Sequence, residues 1–280
     1  MNNQTSKKAP ESLYHYTTAR GLMGILDQKK IWATHISFLN DKKEFIDAMD
    51  EFKKQIQRLR PEAAIPTVVV PTHGTVTDKS RTEKYDGVVE FLQIIREFVY
   101  VTSFSEERDQ LSQWRGYCAN SAGFSIGFNL AKLRQLLKSK DELLKKCIYD
   151  PRRKTKMMER IIKTDESINP IGQDVFDSLV SKMITIAPYF KDKSFKEEKE
   201  WRLALITGSG NVLFREGDRL IIPYVVFDLK DEDGNLPIDN IVIGPTVNMN
   251  ESHSSLKMLL GKHNLEASIE ESEIPYRPGL

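Results

Sequence analysis

Glu198-Lys199-Glu200-Trp201-Arg202 is the run of this chain whose residue types most directly call for a chemical role. If it enters a strand directly, alternation places Glu198, Glu200 and Arg202 on one face and Trp201, Leu203 and Leu205 on the other. Two carboxylates at the lip of a sheet suit glycosyl chemistry, where one stabilises an oxocarbenium-like centre or holds a sugar hydroxyl. The same spacing also describes a solvated charge run. Near the N-terminus, His15 and Thr17 lie two apart in an aromatic segment, so in a strand both project from one face and Tyr14 and Tyr16 from the other. An imidazole and a hydroxyl so placed could hold a ribose or an amide; a histidine satisfied within the fold is the alternative. Trp114, Arg115 and Tyr117 form a third cluster, with Trp114 and Tyr117 meeting at i, i+3 on a helix, either as packing or as a platform for a flat ring.

Other signals are weaker or negative. Gly123-Phe124-Ser125-Ile126-Gly127 matches the G-x-S-x-G of a nucleophile elbow, which needs a strained turn. The alternation of Phe124, Ile126 and Phe128 instead predicts an uninterrupted strand with Ser125 on its opposite side. His35, His73, His253 and His263 are scattered, none at ligand spacing from another His or a Cys, so no metal site is expected. No dinucleotide fingerprint or phosphate-binding loop occurs. Cys118 and Cys147 are too few for a disulfide framework and read as reduced thiols. With 41 Lys+Arg against 40 Asp+Glu, net charge names no partner. Residues 138–163 nevertheless hold ten Lys/Arg and four Asp/Glu. Lys145, Lys146, Arg152 and Arg153 in that stretch could track a nucleic-acid backbone, or form a plain solvent-facing surface.

The elements that must position these groups follow from periodicity. Strands are predicted at Leu13 to Thr17, Ile31 to Thr34, Val99 to Phe104, Gly123 to Phe128, Trp201 to Ile206, Val212 to Phe214, Arg219 to Leu229, Ile238 to Ile243 and Leu265 to Ile269. Helices are predicted around Leu22 to Leu26, behind a capping-box spacing at Asp41 to Glu44, from Val88 to Phe98, Leu111 to Cys118, Leu130 to Leu137, Gln173 to Phe190 and Leu256 to Leu260. Residues 1–12 read as a disordered tail without the apolar segment of a signal peptide. Residues 13–280 read as a single α+β domain with a loop insertion at 61–86, the candidate for a mobile lid, and a helical basic insertion at 129–192. No apolar run approaches the roughly 18 residues of a membrane-spanning helix, and a cytoplasmic protein is expected.

Taken in order, Leu13-Tyr14-His15-Tyr16-Thr17, Leu39-Asn40-Asp41 with Glu44-Phe45, Ser103-Phe104-Ser105, Trp114-Arg115-Gly116-Tyr117, Gly123 to Phe128, Glu198 to Arg202 and Ile241-Val242-Ile243-Gly244-Pro245 resemble the bacterial domain-of-unknown-function family 2971, from about Leu13 to Pro245. A more distant resemblance is to the ADP-ribosyltransferase fold of the His-Tyr-Glu type, in which a strand-borne His, a stacking aromatic and a late Glu follow in the order of His15, Tyr117 and Glu200. Here Tyr16 follows the His where those enzymes often have Gly, and Tyr117 falls in a predicted helix. That resemblance implies an α+β fold with a mixed or antiparallel split sheet, flanking helices and a helical insertion. It implies NAD as substrate without a metal: His15, Thr17, Ser103 and Arg202 lining the pocket, Trp114 or Tyr117 stacking on nicotinamide, Glu200 gripping the ribose 2′-hydroxyl and Glu198 positioning the acceptor. The acceptor would be a nucleic acid or a protein, in a toxin or phage-defence effector. A non-catalytic nucleotide- or partner-binding module on the same fold, and an NAD hydrolase, are the alternatives.

Overall fold

Leu13 and Tyr16 are buried on opposite sides of the first strand, each in a different apolar cluster. In the computed structural model, residues 9–39, 42–59, 67–71, 82–86, 98–118, 123–137, 143–164, 173–207, 211–217, 220–246 and 248–275 are described. Strand β1 (Ser12–Thr18) runs into helix α1 (Ala19–Gln28), whose first turn is capped by Thr18 Oγ1 accepting from Gly21 N. Strand β2 (Lys30–His35), helix α2 (Lys42–Leu59), β3 (Thr67–Pro71), β4 (Thr82–Asp86), β5 (Val99–Ser105), α3 (Leu111–Cys118), β6 (Gly123–Asn129) and α4 (Leu130–Leu137) follow. Next come β7 (Leu144–Lys146), α5 (Pro151–Thr164), α6 (Gln173–Ile184), a 3-10 turn (Ala187–Tyr189) and a second 3-10 turn (Lys193–Glu198). The chain closes with β8 (Glu200–Ile206), β9 (Leu213–Glu216), β10 (Ile221–Asp228), β11 (Ile238–Ile243), α7 (Met249–Lys262) and β12 (Ser268–Glu271).

Among the described residues ten strands make one open, mostly antiparallel sheet, in which only β11 and β12 pair in parallel. Alternation along the strands feeds two apolar clusters. Trp201 and Leu203 of β8 join Leu22 and Leu26 of α1, Leu133 of α4 and Leu256 of α7. Val99, Val101 and Ala204 join Phe45 and Phe52 of α2, Met158 and Ile162 of α5, and Leu179 and Met183 of α6. The helices thus cover β-branched and aromatic strands, the arrangement that lets a central strand be apolar on both faces.

The sheet forks at β5. One edge of β5 pairs with β8 from Val99 to Ser105. Its other edge is shared: β1 meets it only at Tyr14↔Ser105, and β2 only at Thr34↔Val101 and His35↔Tyr100. Between those contacts, Thr102 to Phe104 have no strand on that side among the described residues. Backbone polar groups opened in this way must be satisfied by other means. His15 Nδ1 bonds the Ser103 carbonyl at 2.9 Å, and Thr102 Oγ1 donates to the Trp32 carbonyl at 2.9 Å.

Three sequence expectations need correction. Ser12, placed in the tail by the sequence, begins β1 and pairs with Asn129 in the sheet, and residues 1–8 lie outside the described residues. The 61–86 segment is not all loop, because β3 and β4 form a two-stranded antiparallel ladder of their own around the valine run. The 129–192 segment is not purely helical: β7 lies within it and pairs with β8, joining it to the main sheet. The helix expected over Val88 to Phe98 falls almost wholly outside the described residues, as does Asp41 of the capping box. No helix among the described residues is long and apolar enough to cross a membrane. Cys118 and Cys147 are buried and are not joined in a disulfide.

Candidate active site

The fork opens into a crevice. Tyr14, His15, Trp32, Thr34, Ser103, Gln113, Tyr117, Glu198 and Glu200 line a cavity of about 100 Å³ at its base. An adjoining cavity of about 320 Å³ shares several of these and adds Phe38, Ser112, Lys191, Phe195, Arg202 and Arg215. The larger cavity falls within the range of small-molecule pockets, roughly 300–1,000 Å³.

Glu198 and Glu200 reach this crevice by different routes. Glu200 begins β8, but Glu198 ends the second 3-10 turn, which Asp192 caps by accepting from Ser194 N at 2.8 Å. Lys199 between them adopts a left-handed conformation at φ 43°, where its ammonium pairs with Glu107. Ser105 Oγ donates to the Glu198 carbonyl at 2.7 Å, tying the turn to the end of β5. The two carboxylates therefore converge through a turn and not through strand alternation.

Two cations sit among them. Lys191 Nζ lies 2.5 Å from Glu198 Oε2 and 2.6 Å from Glu200 Oε2. Arg202 donates from Nε to Glu200 Oε1 at 2.8 Å, from Nη2 to Glu200 Oε2 at 3.1 Å and from Nη1 to the Pro188 carbonyl at 2.7 Å. Burial alone would raise the Glu200 carboxyl, but Arg202 and Lys191 outweigh it and hold it down at about 2. Glu200 is thus a fixed anion at neutral pH, with both oxygens engaged and only 4% of the residue exposed. Glu198 is the more accessible carboxylate, at 19% side-chain exposure.

His15 is held neutral. Burial lowers its pKa, and the bond to the Ser103 carbonyl only partly opposes this. Because a carbonyl oxygen only accepts, Nδ1 carries the proton and Nε2 keeps its lone pair. Tyr117 is 45% exposed, while its hydroxyl end feels Glu200, Lys191, Glu198 and Arg202 and is raised well above 10, chiefly by burial.

Of the residues expected at a site, His15, Ser103, Tyr117, Glu198, Glu200 and Arg202 are brought together here. Arg202 serves Glu200 and the Pro188 carbonyl first. Trp114 is not a ligand platform. At 1% exposure it packs edge-on to Tyr16 with centroids 4.6 Å apart, and its Nε1 donates to Asp109 at 2.7 Å. Gly123 and Gly244 leave room for its indole: a Cβ on Gly244 would lie 2.9 Å from the Trp114 ring. Thr17 also lies outside the crevice, its hydroxyl filling the space that a side chain on Gly21 would take. Ser125 is fully buried in mid-strand between β1 and β11, so the nucleophile-elbow match is a strand.

The basic residues belong to another part of the surface. Lys145 lies over the Tyr189 ring at 5.3 Å, Lys146 pairs with Glu106, and Arg152 and Arg153 are exposed at the start of α5. No group of three or more His, Cys, Asp or Glu side chains among the described residues is placed to hold a metal ion. Lys191, Trp32, Thr34 and Arg215 were missed from sequence. Lys191 lies in a loop with no period, and Arg215 sits in a short strand whose place depends wholly on the pairing of β9 with β10.

Residues 113–203 match the model of the family described as "Protein of unknown function (DUF2971)". The matched segment supplies Gln113, Tyr117, Lys191, Glu198, Glu200 and Arg202 to the crevice, whereas His15, Trp32, Ser103 and Arg215 lie outside it. It is narrower than the span from Leu13 to Pro245 over which the sequence motifs resemble that family. No curated protein matches the chain. No solved structure matches it either.

Proposed function

We propose that the crevice binds NAD and that the protein is an ADP-ribosyltransferase-like enzyme, cleaving the nicotinamide–ribose bond and passing ADP-ribose to a nucleic-acid or protein acceptor. The observation that supports this reading is convergence. His15, Ser103, Tyr117, Glu198 and Glu200 are widely spaced along the chain, and all line one crevice at the fork of the sheet. In this reading the exposed ring of Tyr117 stacks on nicotinamide and His15 Nε2 accepts a hydrogen bond from a ribose hydroxyl or the amide. The electron pair of the C1′–N bond leaves with nicotinamide, positive charge develops on the ribose, and a carboxylate beside it lowers the barrier. The acceptor then adds at C1′ and loses a proton; water in its place gives the hydrolase.

The structure changes the roles expected of the two carboxylates. Because both oxygens of Glu200 are already engaged, Glu198 is assigned to the sugar, and Glu200 holds Lys191 and Arg202 in place. The same engagement favours a second reading, a non-catalytic module that binds a nucleotide or partner, since a neutralised carboxylate does little for a cationic transition state.

Nicotinamide release from NAD, quantified with total cell RNA, DNA or protein extract added, separates the two. An enzyme releases nicotinamide, and Glu198→Gln lowers the rate by about 100-fold or more with the fold intact, the usual effect of removing a group that faces developing charge. Folded protein that releases none under any condition is the binding module.

A further inference from the structure

The charges lining the larger cavity do not balance. Lys191, Arg202 and Arg215 face Glu198 and Glu200, three cations against two carboxylates. Lys191 and Arg202 are neutralised by the two carboxylates at 2.5–2.8 Å, which leaves Arg215 as the surplus. Among the described residues its contacts are with neutral groups: Nη2 reaches Thr34 Oγ1 at 3.4 Å, and Cζ lies 5.9 Å from the centre of the Trp32 ring. Its Nε is buried and has no hydrogen-bond partner among the described residues. Ser112 Oγ, on another wall of the cavity, is a second buried polar atom without a partner among them.

A half-buried guanidinium with no carboxylate is costly unless something anionic completes it. Burial accordingly pushes the Arg215 pKa down. The planar fork of Arg fits two phosphate oxygens at once, which a lysine would not do. Beside it, Trp32 is 40% exposed and leans on Tyr224 with ring centres 4.5 Å apart, so a partly exposed indole adjoins the cation. The hydroxyl of Thr34 adds a neutral donor at the same corner. We propose that Arg215, with Thr34, is a phosphate-binding subsite of the crevice, and that Trp32 packs against the organic part of a nucleoside phosphate held there. That the ligand is a nucleotide rests on the function proposed above; the anion subsite rests on the charge balance alone.

Equilibrium binding by calorimetry, with ADP, inorganic pyrophosphate and adenosine as probes, tests it on the full chain. Wild type is expected to bind ADP more tightly than adenosine, with an affinity that falls as salt rises. Arg215→Gln should weaken ADP and pyrophosphate by about 10- to 100-fold, the scale of a charge-assisted hydrogen-bonded contact. It should leave adenosine unchanged, and Arg215→Lys should recover only part of the loss. Arg215 is on an edge strand, and a thermal melt of each variant identifies any that fails to fold; Thr34→Val then supplies an independent reading, with a smaller loss for ADP and none for adenosine. ADP binding equal in wild type and Arg215→Gln overturns the subsite, as does wild type that binds neither ADP nor pyrophosphate. None of these probes has a nicotinamide bond, so absence of NAD cleavage leaves the result for Arg215 standing.

Discussion

Glu200 shows how a residue's neighbours set its use. Its carboxyl, held at about 2 by Arg202 and Lys191 against an ordinary value of 4.5, contributes about 3 kcal/mol of stability at neutral pH. A lowered acid pKa means that the unfolded state takes up protons first. The contribution is therefore complete above about pH 4.5 and is lost as the pH falls from there toward 2. Glu200→Gln should flatten that acid limb in urea unfolding curves, and should cost about 3–5 kcal/mol at pH 7 by leaving two buried cations short of a partner. His15 carries the same sign from the other side. Its pKa is lowered by burial from 6.5, so acidification below that value favours the unfolded chain, and His15→Gln should remove that slope. From sequence, the carboxylates, His15 and Tyr117 could be picked out by type. What could not be read was which of Trp114 and Tyr117 faces outward. Both lie on one short helix, and Trp114 is the ring that faces Gly123 and Gly244, where a Cβ would come within 3.3 and 2.9 Å of the indole.

At the scale of elements, strong period carried the reading. The run from Val99 to Ser105 and the alternation from Gly123 to Asn129 stand as strands, and the helices at Leu111, Leu130 and Gln173 begin where the apolar spacing starts. The errors came where local chemistry contradicts the pairing partner. Pro61, Pro66 and Pro71 hid the ladder of β3 and β4, and the lysines of β7 hid a strand whose only requirement is an edge of β8 to pair with. The slot beneath α3 gives a direct test. Gly244→Ala would bring a methyl to 2.9 Å from the Trp114 ring and 3.0 Å from the Gly123 carbonyl. Overpacking of this kind should cost about 1–3 kcal/mol, measured as a lower urea midpoint with an unchanged slope. Gly116→Ala, on the same helix with open space at its Cβ, is the control and should be neutral or mildly stabilising.

For the whole molecule, near-zero net charge conceals two local imbalances of different meaning. The fold engages part of the basic stretch, with Lys145 on a ring and Lys146 on a carboxylate, and exposes Arg152, Arg153, Lys156, Arg160 and Lys163 along α5. If an acceptor nucleic acid docks there, Arg152→Glu with Arg153→Glu should weaken RNA or DNA binding and reduce its salt dependence without altering ADP binding in the crevice. Unchanged nucleic-acid binding assigns the stretch to solvated surface. The fork at β5 has a mechanical corollary. One wing of the sheet, β12-β11-β6-β1, and the other, β2-β10-β9, meet β5 along a single edge without pairing to each other. A molecule lodged between them touches Tyr14 and His15 of one wing and Trp32 and Thr34 of the other, and so acts as a staple across the opening. Amide exchange should then slow together in β1 and β2 on ligand addition, two segments that share no hydrogen-bonded register, while exchange in α7, packed far from the opening on β11 and β12, keeps its own rate.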